Sequence, residues 1–143
     1  MAILNRCPQA IRCVEMTRLD LSKLSLDDLL ERYVELSIRQ GEALESGTIS
    51  QVNRLGEQIY KISKELKARP GDRRDAFLKL FSHPNAQVRF NAATSSIAIV
   101  PLEARQTIQA IADSGTFPLV GHAGMYLSTY DGEASRLLRK PSS

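Results

Sequence analysis

From Ser25 onward the apolar residues of this chain return every three or four positions, and nowhere do they alternate with polar residues long enough to make a strand. Leu26, Leu29, Leu30, Tyr33 and Leu36 share one side of a helix that runs to about Leu44. Ser25 with Asp28 three residues on is a capping-box-like start, and Asp27 and Asp28 suit the positive end of the helix dipole. Ser46-Gly47 ends this helix, because glycine takes the left-handed C-terminal conformation without strain. Ser50 opens a second helix whose apolar positions Val52, Leu55, Ile59, Ile62 and Leu66 advance by 3, 4, 3 and 4. Pro70-Gly71 stops it.

Asp72 begins a third helix with Ala76, Phe77, Leu80 and Phe81 inward. It breaks at Ser82-His83-Pro84, and Asn85 caps a fourth helix reaching about Ile99 and carrying Val88, Ala92 and Ala93. Pro101 sits in the first turn of a fifth helix, with Leu102, Ile108 and Ile111 inward and Ser114-Gly115 after it. A sixth begins near Phe117, places Val120, Ala123, Gly124 and Leu127 on one face, and ends at Asp131-Gly132. Six helices on loops of roughly two to five residues should pair as sequential antiparallel neighbours. The expected fold is all-α: three stacked antiparallel hairpins over residues 26–68, 72–99 and 102–130, forming a short right-handed solenoid. Residues 1–24 are expected to be a weakly structured leader, whether a short weak helix, a disordered segment or an upstream extension with Met16 as the natural start, with 25–131 the helical domain and 132–143 a polar tail.

The corner HPNAQVRFNAA, residues 83–93, resembles the turn of a HEAT repeat, a helical-hairpin unit of protein-interaction solenoids. Val88, Arg89, Ala92 and Ala93 match that pattern, while His83 stands where the family usually has aspartate. The resemblance implies that Arg89, deprived of that carboxylate, finds a helix-end carbonyl or Asp113 instead. More broadly, LSLDDLLERYVEL, HPNAQVRFNAA, LEARQTIQAIADS and FPLVGHAGMYL in that order are similar to a small bacterial HEAT-like domain family of unknown function. The resemblance implies a HEAT-like or armadillo-like helical stack and no assigned activity, with a hint of a protein-binding role of the immunity or regulatory kind and a toxin as one concrete partner.

Composition narrows the chemistry. The chain has 143 residues, 43% hydrophobic, 24% charged and 6% aromatic with no Trp, which suits one soluble helical domain. Its net charge of +3 is mild, and Lys and Arg alternate with Asp and Glu instead of forming a stripe. Cys7 and Cys13 are the only cysteines, too few for a disulfide scaffold and without further zinc ligands nearby. No apolar run approaches the ~18 residues of a membrane span, so a cytoplasmic protein is expected. The two histidines, His83 and His122, have no nucleophile in a catalytic motif, and no phosphate-binding glycine loop is present. Neither an enzyme nor a cofactor or metal site is expected.

The outward faces carry the binding candidates. Asn91, Thr94 and Ser95 on the fourth helix lie opposite Val88 and Ala92, beside Gln87 and Ala98. His122, Met125 and Tyr126 on the sixth lie opposite Val120 and Leu127, a mixed patch suited to a protein partner unless Leu137-Leu138 folds back over it. Gly121 and Gly124 suggest close packing against the fifth helix. The alternative is nucleic-acid binding through Lys61, Lys64, Lys67, Arg69, Arg73 and Arg74, a cluster diluted by Glu57, Glu65, Asp72 and Asp75.

Overall fold

The hydroxyl of Ser25 accepts the N–H of Asp28 at 3.1 Å, so the first helix begins where its spacing predicts. The structure, a computed structural model, describes residues 20–139. Its helices are α1 (Leu26–Ser46), α2 (Ile49–Ala68), a 3-10 helix (Arg73–Ser82), α3 (Ala86–Ser96), α4 (Pro101–Ser114) and α5 (Leu119–Arg139). A short 3-10 turn, Leu21–Lys23, precedes them, and no strand occurs among the described residues. The fold is all-α.

Three antiparallel hairpins form: α1 with α2, the 3-10 helix with α3, and α4 with α5. α1 also packs on α3 and α2 on the 3-10 helix, so the first two hairpins surround one core. Leu29, Tyr33, Leu36, Leu55, Ile62, Leu66 and Phe77 fill it. A second core lies between α3 and the last hairpin, built on Ala93, Ala104, Ile108, Ile111, Ala123 and Leu127. α3 is therefore wetted on little of its circumference. Val88 and Ala92 face the first core, Ala93 and Ile97 the second, and Phe81 touches both.

Local chemistry sets the boundaries. Gly47 adopts φ 78° after α1, and its N–H reaches the carbonyls of Ala43 and Leu44. α2 starts at Ile49, one residue before Ser50, with Thr48 at the cap position but making no side-chain cap bond. After Gly71, Asp72 itself takes a left-handed φ of 53°. Its carboxylate holds Arg74 through Nε at 2.8 Å and Nη2 at 2.7 Å, which supports that turn. The segment expected as a third α-helix is instead 3-10 wound, placing Arg74, Phe77 and Leu80 on one three-residue ridge. Asn85 caps α3 by accepting the N–H of Val88 at 3.1 Å.

Several expectations need correction. Leu102 is 67% exposed, because Ala104, Ile108 and Ile111 set the inward phase of α4. α5 does not stop at Asp131-Gly132 but continues to Arg139, so residues 132–139 are helix and not a polar tail. One glycine costs a helix roughly 1 kcal/mol, too little by itself to end one held at Asp131 by Arg105. Gly124 has open space where a Cβ would be, and Gly121 comes nearest to Phe117 at 3.9 Å, so neither admits α4. Residues 20–24 belong to the fold: Arg69 donates to the carbonyls of Leu21 at 3.1 Å and Leu24 at 2.6 Å. Residues 1–19, with Cys7, Cys13 and Met16, lie outside the described residues.

The last hairpin is latched by Arg105 of α4, whose Nε and Nη2 bind Asp131 of α5 at 3.0 and 2.5 Å. Hydrogen bonding to Arg105 holds the Asp131 carboxyl below its ordinary value of 3.8. The unfolded chain takes up that proton more readily, so the latch's contribution is present above the ordinary value and is lost as pH falls through the lowered one. The difference in urea midpoint between the native chain and Arg105→Ala is expected to be present at neutral pH and to vanish in acid. Equal differences at both pH values would show that the pair is not the source.

Candidate protein-binding groove

The floor of the candidate site is the seam between α1 and α3. Gly41 permits the close approach, since a Cβ there would lie 3.1 Å from Gln87 Cβ. Along the seam, Asn91 Nδ2 donates to Ser37 Oγ at 3.0 Å and to Gln40 Oε1 at 2.9 Å. Gln87 Nε2 donates to Asn91 Oδ1 at 3.1 Å and Gln40 Oε1 at 3.3 Å. Gln40 Nε2 in turn reaches the Val52 carbonyl on α2 at 3.3 Å. Asn91, expected on an outward face, is thus a buried amide whose hydrogen bonds are made inside the fold.

One turn further along, the Tyr33 hydroxyl lies 2.7 Å from Ser95 Oγ. Tyr33 is wholly buried, its ring centroid 4.5 Å from that of Phe77. Burial pushes its phenol above the ordinary tyrosine range, opposed by the Ser95 contact, so the hydroxyl stays protonated. Thr94 and Ser95 are half-buried and face α2, and Thr94 Oγ1 donates to the Asn91 carbonyl at 3.0 Å. Both line the depression that α3 shares with α2.

α2 supplies the other wall. Two adjoining depressions of about 830 and 680 Å³ share Tyr60 and Lys64. The first is lined by Gln40, Val52, Gly56 and Lys61 among others, and the second by Ser63, Lys67, Arg74, Thr94 and Ser95. Tyr60 is 63% exposed, with Lys64 Nζ 5.9 Å from its ring centroid. Lys61, Lys64 and Lys67 are exposed. The arginines of the basic cluster are occupied: Arg69 by Glu65 at 2.9 Å and two carbonyls, Arg73 by Asp75 at 3.1 Å, Arg74 by Asp72. The cluster therefore presents three lysines and a half-engaged Arg74, not six free cations. Tyr60, Gln40 and Ser63 were missed in sequence, although Tyr60 lies four residues before Lys64 on the polar side of a strongly patterned helix.

α5 divides its three candidates. His122 and Met125 are exposed, the latter by 73%. Tyr126 instead packs inward, edge-on to Phe90 at 6.1 Å and stacked with Tyr130 at 6.3 Å. Burial, then the neighbouring Tyr130, pushes its phenol up. Leu137 stays exposed on the continuing helix and covers no patch. At the corner, Asn85 N–H donates to His83 Nδ1 at 3.0 Å. Arg89 Nη1 donates to the carbonyls of His83 at 2.7 Å and Pro84 at 3.1 Å, the helix-end acceptors that the family resemblance implied. Among the described residues no three His, Cys, Asp or Glu side chains converge as a metal site, and no helix is long and apolar enough to cross a membrane.

The crystal structure of the protein RPA1889 from Rhodopseudomonas palustris CGA009 is similar to this chain at 42% identity and a TM-score of 0.75. The match covers 80% of this chain and 94% of that one. No curated protein is a significant match. Residues 27–131, from the first turn of α1 to the Arg105–Asp131 latch, match the model of a domain of unknown function, DUF2019. The chain belongs to the DUF2019 family.

Proposed function

We propose that this chain is a non-enzymatic, HEAT-like helical scaffold that binds another protein through the groove between α2 and α3. The observation that carries the reading is the division of polar groups. Those that the fold needs (Ser37, Gln40, Gln87, Asn91 and Arg89) are satisfied internally, whereas Tyr60, Lys61, Lys64 and Lys67 stand exposed along one concave surface. Exposed aromatic and long amphipathic side chains on a rigid backing make binding surfaces, because little is lost in ordering them. The corner bonds of Arg89 and the hairpin pairing support the HEAT-like reading. Its resemblance to repeat proteins of the immunity kind makes a toxin the concrete partner, met in the cytoplasm.

Capture from native extract tests it. A specific partner should be retained by the folded chain and not by the same chain thermally unfolded. Tyr60→Ala should weaken retention by about 5- to 30-fold, the range of an interface anchor worth 1–2 kcal/mol. Recovery of nothing that distinguishes folded from unfolded chain would overturn the reading.

A further inference from the structure

We propose that the α2–α3 depression is a carboxylate-recognition site for an acidic segment of a protein partner, with Lys64, Lys67 and Arg74 supplying charge and Ser95 one directed hydrogen bond. This deepens the protein-binding reading above and rests on it. The lining of that depression holds three cationic side chains and no carboxylate. Asp72, which engages Nε and Nη2 of Arg74, is not part of the lining and leaves Nη1 for another acceptor.

The hydroxyl of Ser95 is aimed by the core. Tyr33 is buried with Ser95 as its hydroxyl's partner, and its phenol remains protonated. Either hydroxyl can donate across this contact; donation by Tyr33 satisfies its buried proton and leaves that of Ser95 for an acceptor in the groove. An acceptor-only ligand is what that arrangement favours, since a hydroxyl already receiving one hydrogen bond is a better donor to an anion. Thr94 spends its proton on the Asn91 carbonyl and lines the site without donating.

The shape selects a chain over a small ion. The site runs through Tyr60 into the second depression, so α2 from Val52 to Ala68 forms one wall. At 1.5 Å per residue this wall is about 24 Å long, the span of about seven extended residues. Tyr60 offers an apolar face midway. Glu57 stands on the same wall, which suits discrete carboxylates spaced around it and opposes a continuous phosphate backbone.

The probe is a fluorescein-labelled peptide of about eight residues alternating Asp or Glu with Leu, matched to that span. Its anisotropy should report binding at about 50 mM salt that weakens as salt rises. Lys64→Glu with Lys67→Glu should reduce affinity at least tenfold, and Ser95→Ala by about threefold, with melting curves confirming that each variant is folded. No binding at low salt, or equal binding by the double variant, overturns the proposal. So does duplex DNA binding at least as tightly as the peptide, or competition by free glutamate or inorganic phosphate at the peptide's own concentration. In the capture experiment, a partner retained equally by Lys64→Glu/Lys67→Glu removes the carboxylate site and leaves the scaffold reading intact. Loss of capture by every folded form removes both.

Discussion

Phe77→Ala is expected to destabilise the chain by about 3–5 kcal/mol, the cost of a large cavity in a dry core. Phe77 is fully buried and lies against Tyr33 in the first core. It also fastens the 3-10 helix, the least regular wall around that core, to α1. An aromatic pair adds about 0.5–1.5 kcal/mol beyond the area it buries, so the upper half of the range applies. Against a total of about 5–15 kcal/mol, that loss should lower the thermal midpoint by about 10–20 °C. Leu78→Ala is the internal comparison. Leu78 is 39% exposed beside it, and its truncation should cost about 1 kcal/mol or less. Circular dichroism melts decide it. Similar midpoints for the two variants would mean that Phe77 does not hold this wall.

Sequence period made the hairpins legible because α1, α2 and α4 each bury one stripe. The caps at Ser25, Gly47 and Asn85 fall where the residue types require them. α3 escaped the same reading because it is sandwiched. A helix packed on both α1 and α4 has two inward faces, so Gln87 and Asn91, opposite one core, are pressed against other amides and not against water. Nothing local marks Asn91 as buried; its partners Ser37 and Gln40 lie more than fifty residues away. Tyr126 misled for a different reason. Its backbone points away from Leu127's inward line, yet the long ring reaches Phe90 across the interface. The 3-10 winding of Arg73–Ser82 has no signature in residue spacing, since Ala76, Phe77 and Leu80 satisfy either helix.

The candidate groove was half legible. Thr94 and Ser95 on one side and the lysines on the other were visible as separate features, assigned to competing functions. The fold joins them across Tyr60 into one surface. The arginines, counted with the lysines in that basic cluster, largely hold loops: Arg69 ties residues 21–24 to the end of α2, and Arg74 gives Nε and Nη2 to the turn at Asp72. Basic count alone overstated the free charge.

Asn91→Asp should expose how dry the seam under that groove is. The substitution replaces Nδ2, which donates to Gln40 Oε1 and Ser37 Oγ, with a second carboxylate oxygen. Two acceptors would then face each other at the position of a 2.9 Å bond. Turning the Gln40 amide relieves the clash only by giving up its bond to the Val52 carbonyl. A buried charge left with partial compensation costs about 3 kcal/mol or more at neutral pH. Protonation offers an escape, because a neutral carboxyl regains one donor. The folded variant therefore holds its proton more tightly than the unfolded chain does. Its stability should be nearest to native below the ordinary carboxylate value of about 3.9 and should fall as pH rises through the raised folded-state value. That slope is opposite in sign to the one set by the Arg105–Asp131 latch, so the two effects separate in one series of melts across pH. A variant that tracks the native midpoint at every pH would mean that water reaches Asn91, and that the seam does not rigidly back the Ser95 side of the groove.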